Sequence, residues 1–215
     1  MRILKSFLNM IFPDRCVGCG IRGFLLCREC ETKITPATNP MHSWITSVFA
    51  YGDFRVRRLV RLLKYKNARG VATVLARSLS ETLLEFLGEE GLFLGSRNVL
   101  IVPIPLSQKR MAKRGYNQSE LLARKTVDQI KNDLLVLETG LLKKIKETTP
   151  QAEIKHRGKR LENLGDCFVV TQTSAGGEVV ILIDDVTTTG ATLMAARKAL
   201  RRAGFRKVYG FTVAH

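Results

Sequence analysis

The chain has 215 residues, 45% hydrophobic and 25% charged, a balance typical of a folded protein large enough for one α/β domain with a small appendage. Lysine and arginine total 35 against 19 acidic residues, so the formal net charge is +16 and attraction to polyanions such as nucleic acid is expected. No apolar run reaches the roughly 18 residues of a membrane-spanning helix, so we expect a cytoplasmic protein without a transmembrane segment.

Four of the five cysteines form two C-x2-C pairs near the start of the chain, Cys16 with Cys19 and Cys27 with Cys30. Four thiolates at this spacing can close a tetrahedral zinc site. Two disulfides are the alternative, but they need an oxidising compartment, and no secretion signal is present. We therefore favour structural zinc over disulfides or redox chemistry. The fifth, Cys167, precedes an apolar segment and is interpreted as a small buried residue.

Two prolines among polar residues, Pro36 and Pro40, indicate a linker after the cysteines. We predict two units on either side of it. Residues 1–40 should hold a short N-terminal helix over residues 3–12 and the four-cysteine module. Residues 41–215 should form the larger domain, which begins with a strand over residues 45–51.

The helix predicted after this strand has an apolar stripe of Val56, Leu59, Val60 and Leu63. Its other positions are strongly basic, and no acid interrupts them between residues 54 and 66. Such a face is either solvated or binds a polyanion, and the charge of the chain supports the second interpretation. The cations are Arg55, Arg57, Arg58, Arg61 and Lys64.

Further along, residues 99–105 predict a buried strand that two prolines end, followed by a cationic loop over residues 106–118. Asn117 is suited to cap the next helix, and Glu120 is placed to complete a capping box. The alternation of strands with amphipathic helices predicts an α/β fold, a mostly parallel twisted sheet with helices on both faces.

A second buried strand, residues 179–183, leads directly into Asp184 and Asp185 and then into a turn rich in threonine. A helix follows, and its N-terminus favours a phosphate at the turn. These residues could also serve only as a helix N-cap, although one Asp or Thr would suffice for that. Because carboxyl ends of strands share an edge of the sheet, this turn and the cationic loop could face one crevice.

This stretch resembles the ribose-phosphate binding signature of the type I phosphoribosyltransferases. The resemblance implies that Asp184 and Asp185 hold the ribose hydroxyls of phosphoribosyl pyrophosphate, bound with Mg2+. It also implies that the turn holds the 5-phosphate. The residues of this turn are Thr187, Thr188, Thr189, Gly190 and Thr192. Arg110 and Arg114 in the cationic loop are then our candidates for the pyrophosphate side.

More of the chain is similar to the ComF family of competence-associated and GntX-like proteins. The shared features are the paired cysteines, Leu63-Lys64-Tyr65, the proline-containing strand end, the segment from Arg110 to Gln118, Thr148 to Gln151 and the phosphoribosyl signature. This resemblance implies a zinc module joined to a phosphoribosyltransferase-like domain and a link to DNA uptake. Phosphoribosyl transfer is the leading expectation. The alternative is a single-stranded DNA-binding module on a catalytically silent phosphoribosyltransferase fold.

Overall fold

A computed structural model describes residues 15–38, 42–65, 68–92, 98–145, 167–176 and 178–215. The predicted helix over residues 3–12, Pro40 and the segment from Thr148 to Gln151 lie outside the described residues. The helices are α1 Arg28–Thr32, α2 Phe54–Tyr65, α3 Ala68–Glu89, α4 Gln108–Arg114, α5 Gln118–Ile130 and α6 Ala191–Arg202. The strands are β1 Ile45–Phe49, β2 Val99–Pro103, β3 Leu135–Leu137, β4 Leu142–Lys144, β5 Phe168–Val170, β6 Val179–Val186 and β7 Lys207–Ala214.

The main sheet has five strands in the order β1-β7-β6-β2-β3, and all four pairings are parallel. Side chains of β6 alternate between two hydrophobic clusters. Ile181 and Ile183 pack with residues of α2, α3 and α5, whereas Val180 and Leu182 pack with residues of α6. Because a strand points successive side chains to opposite faces, helices cover both faces of the sheet. This confirms the predicted fold class.

The segment before residue 145, whose sequence does not distinguish strand from helix, contains two short strands. β3 extends the main sheet beside β2, whereas β4 pairs antiparallel with β5 in a separate two-stranded sheet. Cys167 precedes β5 and is completely buried, as its apolar context predicts. It belongs to the hydrophobic cluster that covers the α6 side of the sheet.

The apolar stripe of α2 lies in the core: Val56, Leu59, Val60 and Leu63 are all buried. The cysteine-bearing segment packs against the same cluster, through residues that include Cys16, Val17 and Leu26. None of the helices in the described ranges is long and apolar enough to cross a membrane.

The order of strands reverses direction between β2 and β6. From β2 the chain continues to β3 on one side, and from β6 it continues to β7 on the other. In open parallel sheets, ligands bind outside the carboxyl ends of the strands at such a switch point. The last residues paired there, Pro103 with Ile183, lead directly into the segment containing α4 and into the acid pair.

Candidate functional site at the switch point

The acid pair occupies the end of β6 and is held from two directions. Ser119 Oγ, at the start of α5, donates to Asp184 Oδ1 at 2.8 Å, and the Asp185 amide donates to the same oxygen at 2.9 Å. Lys64 Nζ, near the end of α2, lies 2.9 Å from Asp185 Oδ2 as an ion pair without hydrogen-bond alignment. The two carboxylates therefore have fixed positions before any ligand arrives.

Burial and the neighbouring charge of Asp185 raise the pKa of Asp184 to about 7, although Ser119 and Lys64 act in the opposite direction. Asp184 is therefore protonated in a large fraction of molecules near neutral pH. A bound cation would favour its ionised form, whereas a ligand hydroxyl can bond to either form.

The threonine turn connects β6 to α6. Thr187 Oγ1 accepts a hydrogen bond from the Gly190 amide at 3.1 Å, and Gly190 is left-handed with φ of 67°. A Cβ at this glycine would lie 3.1 Å from His42 Cδ2, so a larger residue is disfavoured on both counts. The buried hydroxyl of Thr189 has no hydrogen-bond partner among the described residues. An anion in the turn would satisfy it.

The N-cap position of α6 is occupied by Gly190 and carries no side-chain capping bond. Thr187 is the one residue of this stretch whose side chain accepts from an amide at this helix start in the bonds described above, so a capping role accounts for Thr187 and not for Asp184 or Asp185. The partial positive charge at the N-terminus of the helix favours an anion at the turn.

The predicted loop over residues 106–118 contains a helix, α4, so this part of the prediction is wrong. Its residues are Gln-Lys-Arg-Met-Ala-Lys-Arg, mostly strong helix formers, and Gly115 ends the helix with φ of 77°. Arg110 and Arg114 are both on α4, one turn apart, and are partly buried. Arg114 Nη1 donates to Gln118 Oε1 at 2.9 Å.

Asn117 caps α5 as predicted, because its side chain accepts from the Ser119 amide at 3.1 Å and donates to Ile104 O at 3.0 Å. Glu120 pairs with Arg124 at 2.9 Å instead of completing a capping box. The cap positions Gln118 and Ser119 side by side. Gln118 contacts Arg114, and Ser119 contacts Asp184 of the acid pair.

Three site residues were not identified from the sequence: Lys64, Gln118 and Ser119. Gln118 Nε2 is buried and has no hydrogen-bond partner within the described ranges, as is also true of Ser107 Oγ after β2. Gln118 and Ser119 directly follow the predicted cap residue Asn117, so the sequence does place them at the start of the helix that faces the site. Lys64 belongs to the Leu63-Lys64-Tyr65 segment that carries the family resemblance, but its pairing with Asp185, far along the chain, has no local signal.

The four N-terminal cysteines come together as predicted. Their Sγ atoms all lie within 4.8 Å of one another, and Cys16 to Cys27 and Cys19 to Cys27 are each 3.7 Å. Zn–S bonds of about 2.3 Å in a tetrahedron place sulfurs about 3.8 Å apart, so the set fits zinc. The cysteines are free thiols, which favours the zinc interpretation over disulfides.

Two observations describe how closely the four sulfurs pack and how this packing affects their ionisation. A Cβ at Gly18 would lie 2.6 Å from Cys30 Sγ, so only glycine fits there. Burial opposes ionisation of Cys16, but amide donors from Cys27, Cys19 and Gly18 outweigh it and lower the pKa of that thiol to about 6. Cys16 is therefore ionised most readily. At Cys27 a backbone hydrogen bond from Cys30 lowers the pKa, but burial and the neighbouring sulfurs outweigh it and raise the pKa, and the same two causes raise the pKa of Cys30 to about 12. A bound cation would be needed to hold all four as thiolates.

The basic face predicted on α2 is largely occupied by internal partners. Arg55 Nη2 lies 2.7 Å from Asp53 Oδ2, Arg58 Nη1 donates to Val17 O at 2.8 Å, and Lys64 contacts the acid pair. Arg57 Nη1 donates to Gly52 O at 2.8 Å. These contacts anchor α2 to the cysteine module at one end and to the site at the other.

Comparison with known proteins identifies the family. Competence protein ComFC of Bacillus subtilis is 31% identical over 216 residues, which span 97% of this chain and 81% of that protein. The chain belongs to the ComF family. Competence protein F of Haemophilus influenzae is 30% identical over 70% of this chain and 63% of its own length. The DNA utilization protein YhgH of Escherichia coli K12 is 28% identical over 88% of this chain and 78% of its own length. No family model matches the chain.

The match to the first of these ComF-family relatives spans nearly the whole chain, so it takes in both the cysteine module and the switch-point crevice. The family relationship therefore applies to the two sites together.

Proposed function

We propose that this protein binds phosphoribosyl pyrophosphate with Mg2+ at the switch-point crevice and transfers its phosphoribosyl group in a process linked to DNA uptake or use. The names of the relatives, competence proteins and DNA utilization proteins, support the process. One observation carries the chemistry. The Ser119–Asp184 hydrogen bond joins the arginine-bearing segment after β2 to the acid pair after β6.

Each part of the ligand has a suited partner in this crevice. Asp184 and Asp185 would accept hydrogen bonds from the ribose hydroxyls, and the turn before α6 would hold the 5-phosphate. Arg110 and Arg114 would bind the pyrophosphate, since guanidinium groups match phosphate oxygens geometrically. The turn residues in this role are Thr187, Thr188, Thr189, Gly190 and Thr192.

The unpartnered groups support the same assignment. Buried donors without partners are costly, and Gln118 Nε2, Ser107 Oγ and Thr189 Oγ1 all lie in the segments that form the crevice. A ligand rich in phosphate and hydroxyl oxygens would satisfy them. Gln118 would bond the ligand through Nε2 while its Oε1 orients Arg114.

The transfer itself needs positioning and charge neutralisation more than a protein nucleophile. The bond between ribose C1 and the pyrophosphate oxygen breaks, a bond from C1 to the acceptor forms, and the acceptor loses a proton. Mg2+ supplies charge neutralisation on the diphosphate when bound. Arg110 and Arg114 stabilise the charge that develops on the leaving group, and the acid pair fixes the ribose.

Calorimetric titration with phosphoribosyl pyrophosphate and Mg2+ tests the proposal. The double variant Asp184→Asn with Asp185→Asn should lose measurable binding, because it removes both ribose-binding carboxylates. The matched control is Asp128→Asn with Asp133→Asn, the same change of charge at two exposed positions, and it should bind as the unmodified protein does. Equal affinity of the two double variants would contradict the site.

A further inference from the structure

The solvent face of α6 concentrates positive charge. Helical spacing places five residues of α6 on one side, opposite the buried Leu193, Ala196 and Leu200. We call these five the α6 basic face: Met194, Arg197, Lys198, Arg201 and Arg202. Between Asp185 and the last residue there is no acid at all, while Arg206 and Lys207 add to the cations.

Trp44, just before β1, lies against this face and provides an aromatic platform. Arg197 Cζ is 4.3 Å from the centroid of the Trp44 ring, and the ring of His42 stacks on Trp44 with centroids 6.0 Å apart. Together Trp44 and the α6 basic face line a cavity of about 500 Å3 that is open to solvent. The cavity therefore combines flat stacking surfaces with several cations and no acid.

Arg197 carries an unmet hydrogen-bonding requirement at this cavity. Its Nε is buried and has no hydrogen-bond partner among the described residues. Burial and the nearby charge of Arg201 both lower the pKa of Arg197, so the ligand-free protein holds this cation at a cost. A phosphate bound in the cavity would offset the repulsion between the two arginines.

We propose that Trp44 and the α6 basic face form a binding surface for single-stranded nucleic acid. Phosphates would pair with Lys198, Arg201 and Arg202, and a base would add to the stack of Trp44 and Arg197. A duplex keeps its bases inside and cannot use the platform. An acidic peptide could use the cations but gains nothing from a planar stack.

This surface meets the phosphoribosyl crevice at one residue, His42, which stacks on Trp44 and lies close to Gly190 of the threonine turn. The surface lies along the outer side of α6, whereas the crevice lies at the N-terminus of that helix and at the ends of β2 and β6. Substitution of the exposed Lys198 and Arg201, away from His42, should leave the crevice intact.

The only tryptophan of the chain is Trp44, so its fluorescence reports on the surface directly. We would titrate the full chain with an oligothymidylate of about 12 nucleotides, within the range of single-strand site sizes. Binding should change Trp44 fluorescence. Lys198→Glu with Arg201→Glu, both exposed, should abolish this change while leaving binding of phosphoribosyl pyrophosphate intact.

The matched control is Arg61→Glu with Arg69→Glu, two exposed cations on α2 and α3 across the sheet. It lowers the net charge by the same amount and should weaken oligonucleotide binding much less. Equal weakening by the two double variants would assign the affinity to net charge alone and overturn the surface. Absence of any oligonucleotide binding would also overturn it.

Two further measurements test the stacking. Trp44→Leu, followed by fluorescence anisotropy of a labelled oligonucleotide, should weaken binding about 5- to 150-fold, and Trp44→Phe should weaken it less because a ring remains. Thermal unfolding checks that both variants are folded. Binding of duplex DNA or polyglutamate as tight as that of the single strand would overturn the assignment.

Discussion

Helices α2 and α6 look alike in sequence and differ in what their cations do. Each has an apolar stripe in the core and a run of lysine and arginine opposite. On α2 the cations have partners within the protein: Arg55 contacts Asp53, Arg58 contacts Val17 O and Lys64 contacts Asp185. On α6, Lys198 and Arg201 are exposed beside the aromatic platform of Trp44.

The difference shows that a local excess of positive charge does not locate a binding surface. Residues 54–66 lack an acid, yet α2 finds acceptors in distant segments and in backbone carbonyls. Such contacts hold α2 between the cysteine module and the acid pair. The exposed cations that lie beside an aromatic side chain, Lys198 and Arg201 near Trp44, are on the opposite face of the sheet.

The largest expected effect concerns the cysteine module, whose backbone accepts from α2. Chelation of zinc, or Cys16→Ser with Cys30→Ser, should destabilise the protein by more than about 5 kcal/mol and release Arg58 from its acceptor Val17 O. The measurement is bound zinc per chain together with thermal unfolding. Cys167→Ala is the control and should keep one zinc. Stoichiometric zinc in the double serine variant would refute the site.

The second-largest effect is a difference in unfolding free energy between one cation of α2 and one cation of α6. Arg55→Ala leaves the buried carboxylate of Asp53 without its cation and should cost about 3–5 kcal/mol in urea unfolding at pH 7. The exposed Lys198→Ala on α6 should stay within about 0.5 kcal/mol of the unmodified protein. Equal costs would mean that the two helices do not differ as described.

The same pair predicts a pH dependence. The hydrogen bonds from Arg55 lower the pKa of Asp53 to about 2. Since an unfolded Asp titrates near 3.9, this stabilisation is present above about pH 4 and is lost as the pH falls through 2. Urea unfolding of Arg55→Ala should show a smaller loss over this interval than the unmodified protein. An identical acid limb in both proteins would contradict the assignment.

Much of the fold follows from the sequence because its signals are local. The buried strands β2 and β6 are unbroken apolar runs, and the α2 stripe has clear helical spacing, so these elements and the parallel sheet were predicted correctly. The sequence predicts a loop where α4 lies, because the residues there are nearly all polar and only Met111 and Ala112 interrupt them. Its helix propensity gave the better signal.

Some residues of the candidate sites could likewise be predicted from local motifs, and others could not. Asp184, Asp185 and the cysteines form contiguous motifs and could be chosen from the sequence, and the structure brings the four cysteines together. Ser119 lies 65 positions from its partner Asp184, and only the sheet order brings them into contact. The role of Trp44 depends on the packing of α6 against the segment before β1, which no local pattern shows.

A smaller effect is expected from the protonation of Asp184, in the acid pair that α2 contacts through Lys64. The raised pKa of Asp184, about 7, means that the folded state binds this proton more tightly than the unfolded state, whose Asp titrates near 3.9. Stability from this group therefore falls as the pH rises from about 4 to 7. Asp184→Asn should be more stable than the unmodified protein by roughly 1–3 kcal/mol at pH 8 and by less at pH 5.

Thermal unfolding at the two pH values measures this difference without a ligand. Asp133→Asn, at an exposed position, controls for the loss of one charge and should show no such pH-dependent gain. A stability of Asp184→Asn equal to that of the unmodified protein at pH 8 would mean that the Asp184 carboxyl is not strained by burial and by Asp185.

The smallest effect compares two arginines that the sequence does not distinguish. Arg58→Ala removes one hydrogen bond to Val17 O, at 2.8 Å, and should cost about 1 kcal/mol of unfolding free energy. Arg201→Ala removes an exposed cation and should cost less than about 0.5 kcal/mol, while it weakens oligonucleotide binding. Loss of a cation on α2 should thus lower stability, whereas loss of a cation on α6 should lower oligonucleotide binding. If Arg58→Ala instead leaves stability unchanged and weakens oligonucleotide binding, the cations of α2 are available to the polyanion, and the contrast between α2 and α6 no longer holds.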